Sequence, residues 1–562
     1  MKIRDISKYP VLSEGGEGIL YEDWDTVLKW YKPGVNLEAK RRKIEILMKA
    51  RLPEEVVRPL EELTDRRGRF AGYRMKKVLG EEFRMLSNKK FTSANGITTR
   101  DILGMLVQIK KALDELHSSQ IWVGDLNDRN ILFDSQHHIY LIDCDSWTVG
   151  TDKCEVAQEL FQDPLLSGND FDEKTDTYAF CILAWKALTR VHPFGGSMDP
   201  DLNPIERMGK GLSVIDRPSV KLPRTVKPWK NLSPELISVM KEVFEQGRRS
   251  MGAELEKLLQ GLKYCASDQE YYDGRYMTCP LCDVHARIRK RPVSCGVLEG
   301  LILTAVWNRD EIRTVLNEGS YIDQEGAVTH VQTGRKVPYL PGRRYYFTAD
   351  GTLITENKEQ FRISGKEDYF FDKKFNSSIA VEENRICYLN KQSSLCEVIV
   401  HPAGNSIRKL CQCGNAAYFE AKDQKYCVVN IYDNQLIVHA DGYHLKLSHK
   451  GKVINYGIHH DAPADSWLIV LECVSGSFRT LVISGGSVLY DTDQIRYPGS
   501  LNHLCISNQI LYMPADGRIR GYAYQRDQFK DFVCELVDAD SKLIKKGRRF
   551  LILNNENLYY LE

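Results

Sequence analysis

The sequence lacks the features that would direct the chain to a membrane or into the secretory pathway. It has no stretch of about 18 uncharged apolar residues, so no transmembrane helix is predicted. Residues 1–5, MKIRD, include no apolar core of the kind found in signal peptides. The 77 lysine and arginine residues nearly balance the 76 aspartate and glutamate residues, and the net charge of +1 indicates neither a nucleic acid nor a membrane as partner.

The sequence also lacks the cysteine density of a small disulfide-stapled protein. Its 15 cysteines are spread over 562 residues. With no secretion signal, this usage predicts a cytoplasmic chain with reduced thiols and room for one metal site.

The chain is too long for one compact core, because domains usually contain about 100–200 residues. Helical patterns dominate up to about Leu262, for example over Arg100–His117, where apolar residues recur at helical spacing. From Gly296 onward, short apolar strands alternate with Asp-Gly, Gly-Gly and Asn-containing turns. We therefore predict a first domain over residues 1–264, a cysteine-bearing linker over 265–296 and an all-β domain over 297–562.

Residues 123–132 read VGDLNDRNIL and lie between a predicted helix and a predicted hairpin. The strand that follows ends at Asp143, 13 positions after Asn130. Far upstream, Gly15, Gly16 and Gly18 precede an apolar strand, Val27–Tyr31, that carries a single lysine, Lys29.

This order of motifs resembles the protein kinases, whose catalytic loop reads D-x-x-x-x-N-I-L and is followed by a metal-binding aspartate. The resemblance implies an α+β bilobal fold and use of ATP with magnesium or manganese. It implies that Lys29 contacts the α- and β-phosphates, that Asp125 accepts or orients the proton of the attacking hydroxyl, and that Asn130 and Asp143 bind the metal. The remaining nucleotide-binding candidates are Gly15, Gly16, Gly18, Glu38, Met75 and Asp145.

The sequence departs from the kinase pattern in three places. Val123-Gly124 replaces the usual His-Arg before Asp125, which predicts activity that does not require a phosphorylated activation segment. The helix glutamate that normally pairs with the strand lysine has no clear equivalent; Glu38 is favoured over Glu45. D-F-G reads Asp143-Cys144-Asp145, so Asp145 could be a further metal ligand or a turn residue.

Farther along, residues 175–194 resemble the kinase helix that begins D-x-Y and its H-P-F exit. Asp176 is therefore expected to cap the backbone of the catalytic loop. Residues 162–165, QDPL, stand where A-P-E would be, and the glutamate is absent. The partner of the usual buried arginine, here Arg248 or Arg249, is open.

Four segments carry a finer resemblance: GYRM at residues 72–75, GDLN at 124–127, DCDSW at 143–147 and CPLC at 279–282. Together they resemble atypical bacterial kinases that are encoded beside von Willebrand A-type proteins and metal-dependent protein phosphatases. These kinases often carry a cysteine, a histidine and a C-P-W-C knuckle after the kinase domain. Cys265, Cys279 and Cys282 fit a zinc site of this kind. The expected histidine is missing, with Asp268 and Glu270 nearby, and either His285 or Cys295 could be the fourth ligand; a knuckle without metal is the alternative.

The all-β region contains repeated units of strand, tight turn and strand. Residues 434–442 and 508–517 each begin with Asn-Gln and end with Ala-Asp-Gly, and a third Ala-Asp-Gly occupies residues 349–351. Repeated strand units predict a β-propeller of five to seven blades that binds partners, with a pair of β-sandwiches as the alternative.

Taken together, the motifs predict an ATP-dependent Ser/Thr protein kinase whose β-propeller recognises a substrate or partner. A scaffold that binds nucleotide without transferring phosphate is the main alternative, because the glycine-rich loop and the two glutamate positions are eroded. Transfer of AMP, or a small-molecule acceptor, is a third possibility.

Overall fold

The structure is a computed structural model. It describes residues 1–155, 157–166, 168, 170–198, 202–266, 270–282, 297–298, 301–305, 312–365, 367–401, 404–414, 417–432, 434–451, 453–473, 477–497, 499–534, 536–546, 549–554 and 558–561. The chain divides into two compact units. The first comprises residues 1–9 and 16–293, and the second comprises residues 10–15 and 294–562.

Antiparallel strands form the amino-terminal part of the first unit. Strands β2, β3, β5 and β4 neighbour one another in that order, and helix α1 packs against β4 and β5. The strands of residues 1–282 are β1 (Val11–Glu14), β2 (Gly18–Asp23), β3 (Thr26–Tyr31), β4 (Pro59–Thr64), β5 (Phe70–Lys76), β6 (Glu81–Glu82), β7 (Ile121–Trp122), β8 (Ile131–Phe133), β9 (Ile139–Leu141), β10 (Thr148–Val149), β11 (Ser197–Met198), β12 (Val220–Lys221), β13 (Leu262–Cys265) and β14 (Glu270–Asp273).

The rest of the first unit is mainly helical, and its hydrophobic core is built chiefly from α3, α4 and α6. Within the described residues the α-helices are α1 (Leu37–Lys49), α2 (Lys89–Asn95), α3 (Thr99–Ser118), α4 (Glu173–Thr189), α5 (Pro204–Gly209), α6 (Pro234–Glu245) and α7 (Glu254–Gln260). Helix α3 begins at a capping box, in which Thr98 and Asp101 exchange side-chain and backbone hydrogen bonds. Of the described helices, none is both long enough and apolar enough to cross a bilayer.

The second unit is an all-β region of many small sheets. Six sheets follow one another along the chain, each of four consecutive antiparallel strands: β17–β20, β21–β24, β25–β28, β29–β32, β33–β36 and β37–β40. A further sheet, here called the composite sheet, joins β15 and β16 to β43, β42 and β41, so it combines strands from both ends of the region.

The strands within residues 297–561 are short. Their bounds are β15 (Val297–Leu298), β16 (Leu301–Ala305), β17 (Ile312–Asn317), β18 (Ser320–Asp323), β19 (Ala327–His330), β20 (Lys336–Pro338), β21 (Arg344–Phe347), β22 (Leu353–Glu356), β23 (Gln360–Ile363), β24 (Tyr369–Asp372), β25 (Ala380–Glu382), β26 (Arg385–Leu389), β27 (Ser394–Ile399), β28 (Ser406–Gln412), β29 (Ala417–Lys422), β30 (Lys425–Tyr432), β31 (Gln435–Ala440), β32 (Tyr443–Ser448), β33 (Val453–Asp461), β34 (Ser466–Cys473), β35 (Phe478–Ser484), β36 (Ser487–Thr492), β37 (Cys505–Ser507), β38 (Ile510–Ala515), β39 (Arg518–Ala523), β40 (Gln528–Val533), β41 (Lys542–Lys546), β42 (Arg549–Leu553) and β43 (Leu558–Leu561).

Successive sheets of the second unit pack on each other through apolar side chains. Separate hydrophobic clusters join the sheet β21–β24 to β25–β28, then β25–β28 to β29–β32, β29–β32 to β33–β36, and β33–β36 to β37–β40. Two more clusters join the composite sheet to β37–β40 and to β17–β20. The His330 and Phe347 rings stack at 4.4 Å between β17–β20 and β21–β24.

The strand-turn-strand prediction for the repeats is confirmed. Asp441 and Gly442 connect β31 to β32, and Asp516 and Gly517 connect β38 to β39. Asp441 and Gly442 both have positive φ values, 44° and 93°, as a tight hairpin turn requires.

Candidate functional site

Lys29 lies on β3, the strand between β2 and β5. A glycine on the neighbouring strand allows close approach, because a Cβ on Gly72 would lie 1.9 Å from the Lys29 carbonyl oxygen. Lys29 faces Tyr73 in the β3–β5 register. The side chain is almost entirely buried, so its charge needs a partner.

The structure provides that partner twice. Lys29 Nζ lies 2.6 Å from Asp143 Oδ1 and also donates to Asp145, at 2.6 Å to Oδ1 and 2.8 Å to Oδ2. Burial alone would lower the pKa of Lys29, but the two carboxylates outweigh burial and raise this pKa above its ordinary value. The lysine is therefore held in its charged form.

Asp125 and Asn130 are joined within the catalytic-loop segment. Asn130 Nδ2 donates to Asp125 Oδ2 at 3.1 Å, while Asp125 Oδ1 accepts from Asn127 Nδ2 and from the Gln158 backbone N–H, both at 2.9 Å. Burial raises the pKa of Asp125, although the hydrogen bonds from Gln158 and Asn127 oppose it. A carboxylate held in this way can orient a hydroxyl proton.

Asn130 and Asp143 are brought together by the β8–β9 hairpin. The N–H of Ile142 donates to the Asn130 carbonyl oxygen at 3.0 Å, so Asn130 lies beside the residue that precedes Asp143. Asp143 is partly exposed and has a left-handed backbone, with φ 66°. Asn130 turns its amide nitrogen toward Asp125. An amide oxygen and a carboxylate are ligand types that suit a hard divalent cation, and the role of Asn130 and Asp143 as metal ligands stays a prediction.

Asp176 supports the catalytic loop as predicted. The carboxylate is fully buried at the start of α4. It accepts from the backbone N–H groups of Val123 and Gly124, both at 2.8 Å, and lies 2.9 Å from His117 Nε2. These contacts fix the backbone immediately before Asp125.

The expected pairing of Lys29 with Glu38 is wrong in this structure. Glu38 lies in the first turn of α1 with its side chain 88% exposed, 3.5 Å from Arg42, and Glu45 pairs with Arg41 instead. The face of α1 that turns inward carries lysines, of which Lys40 and Lys43 are buried. No helix carboxylate reaches Lys29 in this described region.

Asp145 takes the place that the helix glutamate was expected to fill. It lies in the 3-10 turn Cys144–Ser146, and that turn contacts α1. Its carboxylate also accepts from the hydroxyls of Tyr73 at 2.7 Å and Tyr31 at 2.8 Å. Both oxygens of Asp145 accept hydrogen bonds and its side chain is fully buried, so Asp145 is not available as a metal ligand. Of the two interpretations offered for this residue, a metal ligand or a turn residue, the structure agrees better with the turn residue.

The tyrosines around Asp145 are functional candidates that the motif comparison did not identify. Tyr31 follows Lys29 by two positions, so strand alternation puts both side chains on one face and could have indicated it. Tyr73 depends on the pairing of β3 with β5, and no motif indicates that register.

The buried arginine near residue 249 also has a partner. Arg249 Nε lies 2.5 Å from Asp163 Oδ2, and Nη2 lies 2.6 Å from Asp163 Oδ1. The aspartate of the QDPL segment therefore replaces the absent glutamate, and Arg249 rather than Arg248 occupies the buried position.

The remaining nucleotide-binding candidates lie in or beside strands of the amino-terminal region. Gly15 and Gly16 lie in the turn between β1 and β2, and Gly18 begins β2, where a Cβ would lie 2.9 Å from the Trp30 carbonyl oxygen. Met75 is buried near the end of β5, ahead of the connection to β6. Their roles toward a nucleotide stay predictions.

The three knuckle cysteines come together in the first unit. The Sγ atoms of Cys265, Cys279 and Cys282 all lie within 4.8 Å of one another. The predicted domain boundary between residues 264 and 265 falls inside strand β13, which pairs with β14. Asp268, His285 and Cys295 lie outside the described residues.

Glu270 forms hydrogen bonds to residues outside the cysteine cluster and does not join the cysteines. Its Oε1 accepts from the Thr99 N–H at 2.7 Å, at the start of α3, and its Oε2 accepts from Lys227. Lys227 Nζ also donates to Thr99 Oγ1 at 2.6 Å. This carboxylate therefore attaches the knuckle hairpin to α3.

Residues 41–253 match the family model of the protein kinase domain. The serine/threonine-protein kinase 1 of Heliothis zea nuclear polyhedrosis virus is 32% identical over 113 residues, which cover 20% of this chain and 41% of that protein. A Dictyostelium discoideum protein named a probable serine/threonine-protein kinase is 27% identical over 97 residues, or 16% of this chain and 11% of that protein. The solved structure of the Cydia pomonella granulovirus kinase PK-1 is similar with a TM-score of 0.34 and 18% identity, over 45% of this chain and 93% of that one.

The chain spans less than half the length of each of the two curated relatives. The matched segment begins within α1, so Lys29 and the glycine-rich turn precede it. The contact between Lys29 and Asp143 links Lys29 to the matched segment. Asp125, Asn130, Asp143 and Asp176 all fall inside the match. Residues 41–253 of this chain are a protein kinase domain.

Proposed function

We propose that the protein is an ATP-dependent kinase that transfers the γ-phosphoryl group to serine or threonine hydroxyls of a protein. The observation that carries this proposal is the joining of Lys29 to Asp143 at 2.6 Å, beside a catalytic loop in which Asn130 is bonded to Asp125. Phosphoryl transfer needs positioning and charge neutralisation more than covalent chemistry. The names of the two curated relatives support a serine/threonine acceptor.

Each residue has a distinct task in this proposal. Lys29 holds the α- and β-phosphates, and Asp125 accepts or orients the proton of the attacking hydroxyl. Asn130 and Asp143 would hold magnesium or manganese, which neutralises charge on the phosphates when bound. The Gln158 N–H on Asp125 keeps one carboxylate oxygen oriented while the other remains near Asn130.

The test is incubation of the full chain with γ-labelled ATP, magnesium and a generic protein substrate, beside Asp143→Ala. We expect label on serine or threonine with the wild type and none with the variant. Nucleotide binding without transfer in the wild type would instead identify a scaffold. A parallel reaction with α-labelled ATP separates phosphoryl transfer from AMP transfer.

Activity without phosphorylation of the activation segment is part of the proposal. The segment is attached to α1 by Arg42, which donates to Asp152 at 3.0 and 2.6 Å, and by Lys43, which donates to the Lys153 carbonyl at 2.9 Å. These contacts support an ordered segment without the arginine that usually binds a phosphate, since Gly124 stands at that position.

We also propose that the second unit is a seven-bladed β-propeller that binds a partner or substrate. The support is the series of six four-stranded sheets, the composite sheet that joins both ends of the region, and the apolar or aromatic contacts between each sheet and the next. An experimental structure with these sheets in a closed ring is the expected result. Two stacked sheets in that structure would identify the β-sandwich alternative.

A zinc ion is proposed at Cys265, Cys279 and Cys282. The Sγ atoms of Cys265 and Cys282 are 3.4 Å apart, near the ~3.8 Å that two thiolates on one tetrahedral zinc require. We expect about one zinc per chain by metal analysis and loss of it in Cys279→Ser. Wild-type protein without stoichiometric metal would refute the site.

The bacterial group with the G-D-L-N loop is proposed as the origin of this chain, on the strength of that loop and the C-P-x-C knuckle. Its members suggest a metal-dependent protein phosphatase and a von Willebrand A-type protein as partners, in the cytoplasm, where ATP is available. Co-purification of the full chain with those two proteins from one gene cluster is the test, and separate elution would count against the pairing.

A further inference from the structure

The Asp145 carboxylate is saturated by contacts within the first unit. Oδ1 accepts from Lys29 at 2.6 Å and Tyr73 at 2.7 Å, and Oδ2 accepts from Lys29 and Tyr31, each at 2.8 Å. An ionised carboxylate offers about four acceptor sites, and these four hydrogen bonds use them. The side chain is 0% exposed, so its charge is sustained entirely by its neighbours.

The helix beside this carboxylate contributes a cation. Lys40 Nζ lies 3.7 Å from Asp145 Oδ2 and donates to the Asp145 carbonyl oxygen at 3.1 Å. It also donates to Glu17 Oε2 at 2.5 Å, in the turn that contains the glycines. Lys40 therefore connects α1, the glycine-rich turn and the D-C-D motif.

The charges in this cluster have the opposite arrangement from the one that the kinase resemblance predicts. In that pattern the helix carries the carboxylate that orients the strand lysine. Here the helix carries Lys40, and the carboxylate comes from Asp145, two residues after the metal-binding candidate Asp143. Without Asp145, the buried Lys29 would depend on Asp143 alone, which is also needed for the metal, and Lys40 would keep only Glu17 as a carboxylate partner.

We propose that Asp145 is the positioning residue for Lys29 and replaces the helix glutamate, while Lys40 balances its charge and couples it to the glycine-rich turn. The inference rests on the proposed function, because it assumes that Lys29 contacts nucleotide phosphates. Asp145 keeps Lys29 oriented when Asp143 is engaged by a cation.

The experiment measures the affinities of the full chain for ATP with magnesium and for adenosine, by calorimetric titration. Asp145→Asn should weaken ATP binding about tenfold or more, since a charge-assisted contact is lost, and leave adenosine binding nearly unchanged. Adenosine has no phosphate for Lys29 to contact. Equal losses for ATP and adenosine would show a merely structural role and overturn the proposal.

Two further variants test the reversed polarity. Lys40→Glu alone places a carboxylate beside buried Asp145 and should weaken ATP binding, whereas Lys40→Glu combined with Asp145→Asn returns the acid to the helix and should recover at least part of the ATP preference. If the double variant binds ATP no more tightly than the single variant with the lower ATP affinity, the proposal that Lys40 balances the charge of Asp145 is overturned. Glu38→Gln tests the competing helix partner, and an ATP-specific loss as large as that of Asp145→Asn would likewise overturn it.

These outcomes are separable from failure of the kinase proposal. Wild-type protein that binds ATP but transfers no phosphate refutes the enzymatic function. The positioning role of Asp145 is then decided by whether Asp145→Asn lowers the ratio of ATP affinity to adenosine affinity. Wild-type protein that prefers ATP no more than adenosine refutes the positioning role directly.

Discussion

Replacing Asp163 with asparagine should destabilise the first unit by about 3–5 kcal/mol, the usual cost of leaving a buried charge without its partner. Arg249 and Asp163 are both buried, with 9% and 3% of their side-chain surfaces exposed. The guanidinium lies 4.5 Å from the Tyr178 ring centroid, and Nη1 donates to the carbonyl oxygens of Val243 and Arg248. The arginine is thus fixed in place and cannot turn to solvent when the carboxylate is neutralised.

The measurement must report on the first unit alone, because a chain with two units need not unfold in one step. Hydrogen exchange in increasing urea, read on peptides from α3 and α4, provides the free energy of unfolding locally. Asp114→Asn is the matched control, since Asp114 pairs with Lys110 at 3.1 Å on α3 but is 63% exposed. That change should cost no more than about 0.5 kcal/mol.

A paired variant separates loss of the ion pair from loss of packing. Asp163→Leu with Arg249→Met removes both charges and should cost clearly less than the two single changes added together. Two results would refute this prediction: an Asp163→Asn variant as stable as the Asp114→Asn control, or a double variant that costs the full sum. Either result would mean that the two side chains are not energetically coupled.

Three other predictions concern acid stability, the catalytic-loop backbone and the activation segment. Burial lowers the pKa of His192 to about 4 from an ordinary 6.5, so the unfolded chain binds the proton before the folded chain does, and the first unit should lose up to about 3 kcal/mol of stability between pH 6.5 and 4. A His192→Gln variant whose stability falls equally steeply over this pH range would refute the prediction. Gly124→Ala should lower the free energy of unfolding in urea by more than about 1 kcal/mol and lower kcat, because φ of Gly124 is 70° and the new Cβ would lie 2.8 Å from a side-chain carbon. The control Gly104→Ala, in open space on α3, should stabilise the first unit, and equal effects of the two changes would contradict the prediction. Phosphatase treatment should leave kcat unchanged, and loss of activity on that treatment would disprove independence from phosphorylation. Arg42→Ala, which releases Asp152, should lower kcat at a stability cost below about 1 kcal/mol.

Local spacing predicted the catalytic-loop region well. Asp125 and Asn130 lie in one loop, and a short hairpin separates Asn130 from Asp143, so the approach of Asn130 to Asp143 follows from the β8–β9 pairing. Asp176 could be assigned from the resemblance of its segment to the kinase helix that begins D-x-Y, and it lies in the first turn of α4, within reach of the same loop. The turns at Asp441-Gly442 and Asp516-Gly517 were predictable for a similar reason, since a two-residue turn fixes the strands on either side.

Partners that meet only through tertiary packing were not predictable. Lys29 and Asp145 are 116 positions apart, and their contact depends on how the 3-10 turn at Cys144–Ser146 meets β3 and α1. The composite sheet pairs β16 with β43, from opposite ends of the second unit. Neither local propensity nor motif spacing contains that information.

The scaffold alternative rests on an eroded glycine-rich loop and two missing glutamates, and other residues take the place of both glutamates. The missing helix glutamate is matched by buried Asp145, and the missing A-P-E glutamate is matched by Asp163 on Arg249. The absent arginine before Asp125 leaves Gly124, and the activation segment is instead attached to α1 through Arg42 and Asp152. Because each of these departures comes with a compensating contact, they describe a rearranged site and do not by themselves indicate an inactive one.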